Sequence, residues 1–139
     1  MSDSLVRLVS FGVVLVHGLG HGGALGALAW IQLRPDSDAG AWSAARSWLV
    51  PSVASGTATL LASAFWTISL VGFVAAALIF WFGWGDAWRA LAIGSAVVST
   101  VGIVLFIGTW PIFNTVAALA ANVAVLVALV AMRWTPPAA

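Results

Sequence analysis

A chain of 139 residues that is 63% hydrophobic and 6% charged, with a net charge of +1, is not a soluble domain, since soluble domains carry roughly 25% charged residues. Its mean hydropathy of +1.11 points to an integral membrane protein. Cys, Glu, Lys and Tyr are all absent, which excludes disulfides, thiolate chemistry and cysteine-held metal sites, and no basic cluster suits nucleic acid.

Three runs lack any Asp, Glu, Lys or Arg: residues 8–33, 47–85 and 90–132. A spanning helix needs about 20 apolar residues, so the last run holds two, divided at Trp110-Pro111. The reading is an all-α polytopic membrane protein: one four-helix bundle, spans near 5–30, 58–82, 87–108 and 111–133, and a loop at 31–57.

The first span carries the chain's two histidines, His17 and His21, near its middle. Ala27-Leu28-Ala29 has the look of a signal-peptide cleavage site, but the apolar run outlasts a signal h-region and is read as a retained span. Arg7, Ser10, Val14, His17, His21 and Ala24 fall on one stripe at spacings of three and four, expected to face the bundle. Gly18, Gly22 and Gly26 repeat every four residues beside it, a pattern that lets helices pack closely or leaves room for a flat ligand.

Pro35, Asp36, Ser37 and Asp38 break the first span. Residues 39–50 then place Trp42, Ala45 and Leu49 at helical spacing with Arg46 off the stripe. That pattern fits either a short amphipathic helix in the membrane interface or an ordered loop with two aromatic anchors. After the second span, Gly83-Trp84-Gly85-Asp86 predicts a tight turn. Asp86 is expected to cap the third span and to pair locally with Arg89. Thr109 is the expected cap of the fourth span, with Pro111 in its first turn, and Pro136-Pro137 stops that span.

Eight of the nine tryptophans agree with this topology. Trp30, Trp42, Trp48 and Trp110 fall at one membrane face, and Trp81, Trp84, Trp88 and Trp134 at the other, where indole rings anchor. Trp66 alone lies inside a span. Arg7, Arg89 and Arg133 against Arg34 and Arg46 place both termini in the cytoplasm by the positive-inside rule. No internal repeat stands out, because the histidine segment has no counterpart in the third span.

Counting from the span ends puts His17, Ser69, Ser99 and Asn122 near one level, one from each helix, with Asn114 on the same stripe as Asn122. Hydrocarbon cannot satisfy such groups, so they are expected to form a shared polar layer or to meet a partner. Four readings of the histidine pair stay open. They are structural hydrogen bonding, haem ligation by His17 or His21, metal binding by an i, i+4 pair, and proton relay or quinone contact with Trp66 or Phe65 as an aromatic wall. The missing Glu and Cys leave a poor ligand set for zinc, and no carboxylate is embedded to couple export to protons.

His17-Gly18-Leu19-Gly20-His21, with Ser99 and the region from Trp110 through Asn114 to Asn122, resembles small bacterial four-helix membrane proteins that carry an early His-Gly-x-x-His element. The resemblance implies a four-helix membrane fold in the inner membrane and no assigned activity. By size the chain is also similar to small multidrug exporters, but it lacks their embedded glutamate in the first helix. The expected function is that of a non-enzymatic integral membrane protein. It would pack as an oligomer or as an accessory subunit of a larger membrane complex, a respiratory one included. A haem- or quinone-binding redox protein and a small-solute channel or transporter are the alternatives.

Overall fold

The computed structural model of the chain describes residues 2–34 and 42–135. Four helices long and apolar enough to cross a membrane run up and down in chain order. They are α1 (Asp3–Leu33), α2 (Ser55–Phe82), α3 (Ala87–Leu105) and α4 (Ile112–Leu126), the last continued by a π-helical turn, Val127–Ala131. At 1.5 Å per residue the 31 residues of α1 reach about 46 Å, more than the roughly 30 Å hydrocarbon core. The predicted breaks at Pro35–Asp38 and Pro136-Pro137 lie outside the described residues.

Local chemistry sets the ends. Ser2 caps α1 by accepting from the Leu5 N–H at 3.4 Å, and Asp3 follows in the first turn, where negative charge suits the helix dipole. Gly83 ends α2 in the left-handed region at φ 67°, so that the Trp84 N–H returns to the Ile79 carbonyl at 3.1 Å. The turn expected at residues 83–86 is therefore present. Asp86 stands before α3 but makes no side-chain cap. Its expected partner Arg89 instead donates to the carbonyls of Leu129 and Trp134 beyond α4. Arg7 does the same for α2, donating to Phe80 O at 3.2 Å and Trp81 O at 2.8 Å. These carbonyls lack intrahelical partners and stand at the negative end of the helix dipole, which gives each guanidinium acceptors to satisfy in place of a solvent-screened local ion pair.

The expected Thr109 cap is also absent. Pro111 occupies the cap position of α4 without a side-chain bond, and the Thr109 hydroxyl is buried without a partner. Residues 42–50, the described part of the ambiguous 39–50 segment, contain no helix. They follow the ordered-loop reading and are tied to the α3–α4 turn. Ser43 N–H reaches Thr109 O at 3.3 Å, Ser43 Oγ reaches Gly108 O at 3.0 Å, and Trp48 Nε1 reaches Val104 O at 2.5 Å. Cross-chain hydrogen bonds outweigh a short helix whose periodic face is so narrow.

Packing runs α1 on α2, α2 on α3 and α3 on α4, while α1 and α4 touch thinly. Close approach depends on particular glycines. A Cβ on Gly18 would stand 2.9 Å from Phe73 Cβ, one on Gly102 2.7 Å from Phe65 Cβ, and one on Gly72 would collide with Ser95 Oγ. Gly22 meets Leu70 at ordinary contact distance, but Gly26 meets nothing and is exposed. The expected packing triplet is thus a pair, because Gly26 lies off the face on which Ala24 and Leu28 are buried.

Candidate functional site

The polar residues of three helices form one hydrogen-bonded chain. Asn122 Oδ1 can only accept, so His17 Nε2–H donates to it across 2.7 Å. The Asn122 amide donates to Ser99 Oγ at 2.8 Å. Ser99, having accepted there, gives its own hydrogen to His21 Nε2 at 3.1 Å. That order leaves the His21 proton on Nδ1, which is buried and has no partner. His21, Ser99 and Asn122 are fully buried and His17 half-buried.

The stripe expected on α1 does turn inward at His21 and Ala24, and the Ser95, Ser99, Gly102 stripe of α3 is buried throughout. Two expected members of the layer depart from it. Ser69 is buried, but its hydroxyl donates to the Phe65 carbonyl of its own helix at 2.8 Å. A serine inside a helix satisfies itself that way without help from a neighbour. Asn114 is exposed and makes no hydrogen bond, two turns nearer the start of α4 than Asn122. What α2 supplies instead is Phe73, whose ring meets His17 edge-on at 4.7 Å and lies parallel to His21 at 6.2 Å.

Trp110, expected as an interface anchor, is only 8% exposed. Its ring packs on His21 at 5.3 Å, Trp66 at 5.3 Å and Trp42 at 6.2 Å. The reason lies in the turn before α4, where the rings of His21, Trp66 and Trp42 close over Trp110. Of the two residues expected as an aromatic wall, Trp66 packs behind Trp110 and Phe65 against Gly102 and Phe106 between α2 and α3, and neither lines the groove between α1 and α4. The other tryptophans named as anchors sit at the two ends of the bundle. Trp30, Trp48, Trp81 and Trp84 are exposed there, and Trp42, Trp88 and Trp134 are partly covered.

Beside the chain, the thin α1–α4 seam opens into a groove of about 530 Å³ lined by His17, His21, Trp42, Trp110, Phe113 and Asn114 among others. A second, apolar trough of about 220 Å³ continues along the same seam toward the termini and shares Val13 with it.

The arrangement narrows the chemistry. Ser99 with His21 has the makings of a nucleophile and its base, but Ser99 is wholly buried and its oxygen already accepts from Asn122. Both Nε2 atoms are committed to Asn122 and Ser99, so binding iron or zinc there means breaking the chain. Among the described residues no group of three or more His, Cys, Asp or Glu gathers around an ion position. The hydrogen bonds also run across the bundle, not along it, so they do not mark an axial solute path.

No family model, curated protein or solved structure matches this chain. Fold and site together define its class: an all-helical protein with four candidate membrane spans, a buried His-Asn-Ser-His chain and a groove open on one side.

Proposed function

We propose that this chain is a non-enzymatic integral protein of the cell membrane, both termini cytoplasmic, that works as one subunit of an oligomer or of a larger membrane assembly. The outward face of α1 carries the reading. In its most apolar stretch α1 buries only 17% of its residues, against 33% for α2 and for α3. On the bare face Gly23 and Gly26 have nothing within 4 Å of where a Cβ would stand, and Val16 and Leu19 are exposed beside them. Glycine inside a helix costs roughly 0.5–1 kcal/mol relative to alanine, a cost that contact with lipid does not offset. Close approach of a second helix does offset it, because backbone proximity and van der Waals contact drive association in membranes. The sealed Ser99 hydroxyl supports binding over catalysis.

Photo-crosslinking in native membranes tests this. A photoreactive phenylalanine analogue in place of Leu19, on the glycine face, is expected to yield a discrete protein adduct. The same analogue in place of Leu60, exposed on α2, is expected to give lipid adducts only. Lipid adducts alone at both positions would remove the subunit reading.

A further inference from the structure

We propose that the groove between α1 and α4 binds a membrane-soluble lipid whose flat head ring carries carbonyl oxygens, the chemistry of a quinone, with its hydrocarbon tail along the adjoining trough. Two side chains in the groove wall hold buried nitrogens without partners, His21 Nδ1 and Trp110 Nε1. Both are donors. Indole nitrogen only donates, and the proton order along the Asn122–Ser99–His21 chain leaves hydrogen on His21 Nδ1. Neither N–H opens on the groove as the rings stand, so a turn of the Trp110 ring is what brings an acceptor in the groove within reach of these orphaned donors. A carbonyl oxygen provides one without bringing a charge to mid-membrane depth.

Shape and charge agree with that occupant. The rings of Trp42, Trp110 and the two histidines give the groove flat aromatic walls, and Asn114 offers a free amide at its rim. No charged residue lines the groove or the trough, so a phosphate head would find no counter-ion there. The trough is lined almost wholly by apolar side chains, such as Val9, Val125 and Leu129, and shares Val13 with the groove, so head and tail lie end to end along α1. Because the seam opens sideways, a ligand enters from the lipid. Nothing in this depends on the subunit reading, since each chain carries a whole groove.

Thermal unfolding of the full chain in detergent tests the proposal with three probes. They are decylubiquinone, decylbenzene (same tail, no carbonyl) and dihexanoylphosphatidylcholine. Decylubiquinone is expected to raise the Tm saturably at one per chain, and the other two are not. Trp110→Phe keeps a ring and removes a donor, and should weaken decylubiquinone binding about tenfold, a typical charge-free hydrogen bond in affinity. Should Trp110→Phe fold poorly, Asn114→Leu at the exposed rim is the second variant, expected to weaken binding severalfold. Ala128→Trp in the trough should weaken decylubiquinone but leave the tail-less parent benzoquinone unaffected. Equal shifts from decylbenzene or the phospholipid, or wild-type binding by well-folded Trp110→Phe, would overturn the proposal.

Discussion

Asn122 is the pivot of the buried chain because its amide has both an acceptor and a donor end, and each is used, toward His17 and Ser99. Replacing it with alanine leaves His17 Nε2–H without its acceptor and takes from Ser99 its donor, so that Ser99 keeps only its bond to His21. Single interhelical bonds in membranes average about 0.6 kcal/mol and reach about 1.7, so Asn122→Ala is expected to cost about 1–2 kcal/mol in reversible unfolding from mixed micelles. Ser69→Ala is the contrast. It removes a bond that Ser69 makes only to its own helix and should cost less than about 0.5 kcal/mol. Equal losses would mean that Asn122 acts by packing alone. Arg7 and Arg89 illustrate the same logic in solvent-facing positions, since each satisfies carbonyls at the end of a helix other than its own.

Helix pairs in this bundle are set by where glycine removes a Cβ. Gly18 seats α1 on α2 against Phe73, and Gly102 seats α3 on α2 against Phe65. Both contacts are to Cβ atoms, which cannot swing away, so an added methyl must push the backbones apart. Gly18→Ala and Gly102→Ala are each expected to destabilise the detergent-solubilised chain by about 1–3 kcal/mol, the usual cost of overpacking. Gly26→Ala, with open space around it, should be neutral or slightly stabilising. A denaturation series on the three variants reads this directly. The π-helical end of α4 belongs here too. Its wider turn leaves the Leu129 carbonyl to Arg89, which fastens the last helix to α3.

With four spans in chain order, the two ends of the chain leave on the same side of the bundle, together with the α2–α3 turn. The α1–α4 seam is bridged at mid-depth by the His17–Asn122 bond, beside the groove that His17 lines. The proposed orientation makes a definite expectation. Alkaline phosphatase fused after residue 135 should be inactive, and the same enzyme inserted in the loop between α1 and α2 should be active. The reverse pattern would invert the orientation without touching the fold, because three arginines against two decide it.

The four helices were legible in the residues because a bilayer demands uninterrupted apolar length and permits breaks only at its faces, whereas the caps expected from Asp86 and Thr109 did not form. The inward turn of α1 at His21 and Ala24 followed from its periodicity, and Gly83 from the turn chemistry of residues 83–86. Where a polar group would find its partner was another matter. Ser69 and Asn122 look alike by depth, yet one turns back on its own helix and the other joins two neighbours. Asp86 and Arg89 sit three apart, yet Arg89 reaches past Asp86 to α4. Trp110 reads as an anchor by position and is buried by the rings of His21, Trp66 and Trp42. The loop at 42–50 took its shape from the turn it rests on. Spacing along one helix fixes which direction a side chain leaves the axis, but only the packing of the other three helices fixes what it meets there. The histidine chain is therefore a product of tertiary structure, built from residues whose depth alone was foreseeable.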